Sequence, residues 1–215
     1  EANPDSISDK LLRRLYAEGF NRVSLGVQTD NDELLKKLGR PHTYAEAVTA
    51  VKKLRKKGFR NISVDLIYGL PGQRPQDWNA TLNNVLSLKP EHISCYGLKV
   101  EEGTPLYTYK DAVNLPDDDM QADMYLEAIR LLAQHGYVQY EVSNFARNGA
   151  RSRHNSRYWD LSEYLGLGCD AHSYFDGRRF SFTDDLAAFL RVEGRAEPIP
   201  EDPEDVSSTD RVGEF

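Results

Sequence analysis

Cysteine is nearly absent: the 215 residues include two, Cys95 and Cys169. They are too few and too far apart for a disulfide framework or a metal site made of cysteine alone. Such sparing use fits a reducing compartment, so a cytoplasmic location is expected. Long apolar runs are missing too, with a mean hydropathy of −0.62, and no membrane span is expected. Basic charge is in deficit, 27 Lys and Arg against 34 Asp and Glu for a net charge of −7. That argues against nucleic acid as a partner, because a phosphate backbone needs a basic surface. There is no initiator Met, and the polar, acidic stretch from Glu1 to Asp9 does not resemble a signal peptide. Ser207 to Phe215 reads as the opening of a helix that does not develop, and an excised core is the expectation.

What is present suits a packed α/β domain. Hydrophobic residues make up 40% and charged residues 28%, enough for a core under a solvated surface. The early chain repeats itself: Gly19-Phe20-Asn21-Arg22-Val23-Ser24-Leu25-Gly26-Val27 matches Gly58-Phe59-Arg60-Asn61-Ile62-Ser63-Val64-Asp65-Leu66, with a looser copy in Glu91-His92-Ile93-Ser94-Cys95-Tyr96-Gly97-Leu98. Each copy is short, bounded by turn residues and rich in Val and Ile or similar residues, as a strand should be. Helical patterns lie between them, with Leu11, Leu12 and Leu15 on one face, then Ala47, Val48, Val51 and Leu54, then Trp78, Leu82, Val85 and Leu86. Thr43 and Glu46 form a capping box, Pro75 suits a first helical turn, and Gly19 and Gly58 stand where helices stop. Such alternation implies parallel βα units, in a barrel or a doubly wound sheet.

Strand parity carries the first functional hint. Ser24, Gly26 and Gln28 share one face of the first strand, and Ser63 and Asp65 the matching face of the second. The opposite faces are branched and apolar. A packed barrel interior would favour branched side chains, so a small, polar face reads as the lining of a cavity. Gln28 and Asp65 lie near the C-terminal ends of their strands, where barrel active sites form; the alternative is that they only cap loops. Past Val100 the pattern changes to a loop, a long helix around Asp118 to Gln134, and aromatic, glycine-rich strands with a hairpin turning at Asp176-Gly177. The expected organisation is a barrel part over 1–105, an α+β segment packed on it over 106–195, and an acidic, proline-rich linker over 196–215.

Eight motifs then occur in a fixed order. They are Glu1-Ala2-Asn3-Pro4, Val23-Ser24-Leu25-Gly26-Val27-Gln28, Leu38-Gly39-Arg40-Pro41-His42 and Asp65-Leu66-Ile67-Tyr68-Gly69-Leu70-Pro71-Gly72, followed by Ile93-Ser94-Cys95-Tyr96-Gly97-Leu98, Glu101-Glu102-Gly103-Thr104-Pro105, Tyr140-Glu141-Val142-Ser143-Asn144-Phe145-Ala146 and His154-Asn155-Ser156-Arg157-Tyr158-Trp159. The series resembles the radical S-adenosylmethionine (SAM) group that contains oxygen-independent coproporphyrinogen III oxidase and the HemW-type heme chaperones. The resemblance implies part of a (βα)6 TIM-like barrel with an appended α+β segment. It also implies SAM, and a [4Fe–4S] cluster whose CxxxCxxC ligands lie outside this sequence.

Carried over to these positions, the resemblance assigns SAM contacts to Glu1, Gln28, Arg40, Asp65 and Gly97. Glu1 would accept from the ammonium group, Arg40 would pair with the carboxylate through its planar fork, and Gln28 and Asp65 would hold the ribose hydroxyls. Gly97 would let the backbone approach the cofactor. Taken singly, Arg40 reads as a helix-end cation and Glu1 as a frayed terminus. His154, Asn155, Tyr158 and Trp159 are the implied heme contacts, with His154 as a candidate iron ligand and Arg147, Arg151, Arg153 and Arg157 near enough in sequence to pair with propionates. The alternative there is a structural histidine in a turn. The implied function is heme uptake and transfer to an acceptor protein; the rival is coproporphyrinogen III oxidation, with an ordinary barrel lyase or isomerase as a further alternative. No catalytic residue is assigned. His172 could reach a bound ligand but reads more readily as structural, the basic run Lys52 to Lys57 reads as a solvated helix face, and His42 as a support for the Arg40 loop.

Overall fold

The computed structural model describes residues 1–108, 114–191 and 201–205. They fall into two compact units, Glu1–Arg151 and Ser152–Phe215.

The first unit begins with helix α1 (Asp9–Ala17), started by Ser8, whose hydroxyl accepts from the Leu11 amide. Strand β1 (Arg22–Gln28) follows, then a short α2 (Asp32–Lys37) capped by the Asn31 side chain. Helix α3 (Tyr44–Lys57) opens with the expected Thr43/Glu46 capping box and stops at Gly58, whose φ of 112° is left-handed. Strand β2 (Asn61–Tyr68), helix α4 (Pro75–Ser87) and strand β3 (His92–Gly97) complete three parallel strands joined by helices.

Beyond β3 come α5 (Pro105–Thr108), α6 (Asp118–Gln134), β4 (Val138–Gln139) and β5 (Asn144–Ala146). The sheet order is β1-β2-β3-β5-β4, with β5 antiparallel to β3 and to β4. The unit therefore does not end at residue 105 as the sequence suggested. Met124, Ala128 and Leu132 of α6 are buried, and the Trp78 indole on α4 donates to the Met124 carbonyl at 2.8 Å. A long amphipathic helix and two strand pieces thus finish the core that the βα units begin. No closed barrel forms among the described residues.

The core fills the space between sheet and helices. Val23, Leu25 and Val27, Ile62, Val64 and Leu66, and Ile93 and Cys95 point toward Leu12, Ala47, Val51, Leu54, Trp78, Leu82 and Val85. Each fully buried Leu, Ile or Val of this set contributes about 1.5–3 kcal/mol.

The second unit holds α7 (Arg153–Trp159), a hairpin of β6 (His172–Phe175) and β7 (Arg178–Ser181), α8 (Leu186–Arg191) and β8 (Glu201–Asp205). Asp176 and Gly177 both take positive φ, 51° and 74°, as a two-residue hairpin turn requires. The linker expected over 196–215 is interrupted, because β8 pairs antiparallel with β7. The rest of that stretch, 196–200 and 206–215, lies outside the described residues.

Candidate functional site

The register of the three parallel strands builds the site. Ser24 pairs with Ser63, Gly26 with Asp65, and Asp65 with Ser94. The face opposite the helices is therefore a row of small polar groups, as parity predicted. The Asp65 carboxylate accepts from the Ser24 hydroxyl at 2.8 and 2.9 Å, from Ser94 at 2.8 Å and more distantly from Ser63 at 3.4 Å. Burial raises its pKa. The Ser94 and Ser24 hydroxyls oppose that rise, the Glu1 carboxylate adds to it, and the weak Ser63 bond lowers it slightly. Ser63 also meets His92 Nδ1 at 2.7 Å, and His92 Nε2 meets the Tyr140 hydroxyl at 2.8 Å. His92 is 1% exposed. Burial, with the nearby Arg22 charge, pushes its pKa down to about 3 and keeps it neutral.

At the strand tops, Ala2 makes a parallel bridge to Leu25, with hydrogen bonds to Ser24 and Gly26, so Glu1–Asn3 runs along the edge of β1. Arg40 follows the left-handed Gly39 at the end of α2 and reaches Asn3 Oδ1 at 3.4 Å. Gln28 ends β1 at a register shift and has φ of 69°, strained for a residue with a side chain. Its side chain folds back over Gly26: a Cβ on Gly26 would lie 2.8 Å from Gln28 Nε2 and 3.4 Å from Asn3 Oδ1. Glu1, Arg40, Gln28 and Asp65 thus gather around the top of β1 and β2. Asn3 and Gly26 join them; sequence reasoning had placed Gly26 on the polar face but gave neither residue a role. The signal was available, because a glycine inside a strand marks close approach of another group.

Gly97 is different. It ends β3 opposite Tyr68, on the parity of Cys95 rather than Ser94. A Cβ there would meet the Tyr68 ring at 3.2–3.5 Å, so a neighbour in the protein accounts for the glycine. Its backbone is exposed at the strand top beside the half-exposed Tyr96. His42 supports the Arg40 loop from within: it is buried, its Nε2 lies 3.4 Å from the Val27 carbonyl, and its Nδ1 finds no partner among the described residues.

No group of three or more His, Cys, Asp or Glu suited to a metal ion occurs among the described residues. Burial pushes the Cys95 thiol up, and Cys169 sits against the Thr183 and Asp184 carbonyls. These residues do not fit a [4Fe–4S] cluster. The polar strand tops, with the Gln28 amide laid over Gly26, present hydrogen-bonding groups of the kind a nucleoside cofactor needs.

The second unit carries the other candidate residues. His154 to Trp159 is helix α7, started by Ser152, rather than a turn. His154 and Tyr158 are one helical turn apart, and His154 Nε2 lies 2.9 Å from the Tyr158 hydroxyl. The Tyr164 ring packs edge-on against both, with centroids 6.2 Å from His154 and 4.5 Å from Tyr158. An open cavity of about 400 Å³ is lined by His154, Arg157, Glu163, Tyr164, Leu165 and Phe175. Asn155 keeps a buried Nδ2 with no partner among the described residues, and Trp159 is 41% exposed. Of the four arginines, Arg157 donates to the Glu163 carbonyl at 2.7 Å and Arg153 is exposed on α7. Arg147 and Arg151 belong to the first unit, where Arg147 donates to the Lys89 carbonyl and Arg151 stacks on Tyr140.

Residues 1–85 match the family described as the radical SAM superfamily. A heme chaperone HemW of Lactococcus lactis is 40% identical over 204 residues, 94% of this chain and 54% of that protein. HemW of Escherichia coli is 37% identical over 218 residues, 100% of this chain and 56% of that protein. A mitochondrial radical SAM domain-containing protein 1 of Bos taurus is 42% identical over 177 residues, 81% of this chain and 40% of that protein. The chain spans about half the length of the curated relatives it matches. The solved structure of coproporphyrinogen III oxidase (HemN) from Escherichia coli, described as a radical SAM enzyme, superposes with a TM-score of 0.80 at 24% identity, covering 98% of this chain and 52% of that one. That likeness is one of fold.

Proposed function

We propose that the chain belongs to the radical SAM superfamily, in the group of the heme chaperone HemW and oxygen-independent coproporphyrinogen III oxidase, and that it serves a HemW-like protein that takes up heme and hands it to an acceptor protein. The observation that carries this reading is a polar strand-top site in one unit and, in the other, a cavity lined by a histidine and a tyrosine. Relatives named as heme chaperones, at 37–40% identity, support it.

In the first unit the residues' work is to bind and orient. Arg40 takes the SAM carboxylate and Glu1 its ammonium group, while the Gln28 amide and the Asp65 carboxylate hold the ribose diol. Gly97 offers exposed backbone at the third strand top. Asp65 is fixed before any ligand arrives, because hydroxyls on all three strands already hold it. SAM, when bound, would supply a sulfonium whose carbon–sulfur bond is open to reductive cleavage. The [4Fe–4S] cluster of the group would use ligands other than the described residues.

In the second unit heme is cargo. His154, Asn155, Tyr158 and Trp159 would contact it, with His154 as the iron ligand and the aromatic rings against the porphyrin. No helix of the described residues is long and apolar enough to cross a membrane. The sparing use of cysteine is what favours a reducing, cytoplasmic setting. The test is a heme titration of wild type and His154→Ala. Loss of the axial-ligand signature in the Soret band supports the reading, and identical spectra reject it. Turnover of coproporphyrinogen would favour the oxidase instead.

A further inference from the structure

We infer that Arg22 and Arg151 form a carboxylate-binding site at the foot of the polar sheet face, below the Asp65 cluster. The inference concerns the first unit alone and does not depend on the heme reading.

Arg22 opens β1 on the same face as Ser24 and Gly26, and it pairs with Asn61 at the start of β2. A guanidinium carries five N–H donors, and its side-on edge, Nε with Nη2, matches a planar carboxylate. In Arg22 the opposite corner is already committed. Nη1 donates to Asn61 Oδ1 at 2.9 Å and to the Ala150 carbonyl at 3.2 Å. Nε and Nη2 bond nothing among the described residues, yet neither is sealed from solvent. The side-on edge is therefore held in place and left free.

The surroundings lack an answering charge. Ala150, whose carbonyl anchors Nη1, directly precedes Arg151, so a second guanidinium stands at the same turn. Arg151 lies 5.5 Å from the centre of the Tyr140 ring. The Tyr140 hydroxyl meets His92, an imidazole within range of the Arg22 charge. Neither arginine forms an ion pair among the described residues. Asp65, on the same face, is engaged by the Ser24 and Ser94 hydroxyls. Arg22 is half-buried, and burial pulls its pKa down, so a cation left unanswered there is costly. Bonding within the fold accounts for Nη1 only. A carboxylate that accepts from Nε and Nη2 would satisfy the free edge and offset the Arg151 charge.

Gly26, the partner of Asp65, is four residues along β1 from Arg22, a rise of about 13 Å. On the SAM reading of the strand tops, the molecule that shares this unit with the cofactor is a carboxylic acid anchored at that depth. This last step alone rests on that reading.

The test uses the intact protein, with acetate as the probe and chloride at matched ionic strength as the control. Acetate should move the Arg22 Nε–H proton resonance downfield and saturate, the resonance being identified by its loss in Arg22→Lys. Arg22→Lys keeps the charge but not the fork, and should weaken acetate binding about tenfold, read at the Ala150 amide. Arg151→Gln should weaken it about threefold, and because Arg151 is exposed this variant keeps the test sound where Arg22→Lys fails to fold. No shift with acetate, an equal shift with chloride, or wild-type acetate affinity in the folded variants would overturn the inference. A response to phosphate but not to acetate would overturn the carboxylate as the ligand. Acetate binding with no SAM binding in a parallel titration would overturn the strand-top reading and leave this site standing.

Discussion

His92 gives the sharpest quantitative handle on the polar face. Its pKa in the folded chain, about 3, lies below the 6.5 of an unconstrained histidine. A depressed pKa means the stabilising contribution is fully present above the unfolded value and is lost as pH falls, because only the unfolded chain then gains the proton. From pH 7.5 to pH 5, linkage gives a loss of about 2 kcal/mol from this one group. The perturbation is His92→Gln, whose amide can still meet Ser63 and Tyr140 but does not titrate. The assay is urea unfolding followed by fluorescence of the buried Trp78, in a Trp159→Phe background so that one indole reports the first unit. Subtracting the variant's pH dependence from the parent's removes the other four histidines, present in both. The difference should be about 2 kcal/mol over that interval. Parallel pH profiles would show that His92 takes up a proton in the folded state, and would refute the neutral, buried imidazole described above.

Other expectations follow from the same geometry. Gly26→Ala should displace the Gln28 amide, which sits 2.8 Å from the new Cβ, and lower SAM affinity about tenfold, roughly 1.4 kcal/mol, by calorimetric titration; unchanged affinity would remove the strand top from the cofactor site. Ser94→Ala removes a 2.8 Å donor to Asp65 and should cost about 1.5–3 kcal/mol in urea unfolding. Because the Asp65 pKa is raised above 3.8, the buried carboxyl favours folding most below that pH, and the benefit fades as pH rises through the folded value. Asp65→Asn should therefore flatten stability over that mildly acidic interval, and an unaltered profile would contradict it. Gly58→Ala forces a side chain into φ of 112° with its Cβ 3.1 Å from the Tyr16 ring. A fall of more than about 1 kcal/mol is expected by thermal melting.

The repeated strands, their polar face and the caps of α3 were legible because each is set by neighbours in sequence: alternation by parity, the helix start by Thr43 and Glu46, its stop by Gly58. The continuation of the sheet through β4 and β5 was not. Those strands are only two and three residues long, and the pairing of β5 with β3 depends on contacts about fifty residues away, which no local pattern records. Likewise α2 is six residues, too short for a periodic signal. At the site, Gln28 and Asp65 stood out as polar residues at strand ends. Asn3 did not, since it reaches Arg40 only because Glu1–Asn3 pairs along β1. Gly97 was read for its backbone, and only the register shows that Tyr68 occupies the space beside it.

The three serines around Asp65 have a consequence for folding fidelity. Each comes from a different strand, so the carboxylate is satisfied only when β1, β2 and β3 are aligned as they are here. Sliding β1 or β3 by one residue would set Val23 or Leu25, or Ile93 or Cys95, against the acid and take away one of its two closest donors, Ser24 or Ser94. A group placed to hold a ligand thus doubles as a proofreader of the sheet, disfavouring mispaired chains by leaving a buried acid short of a donor.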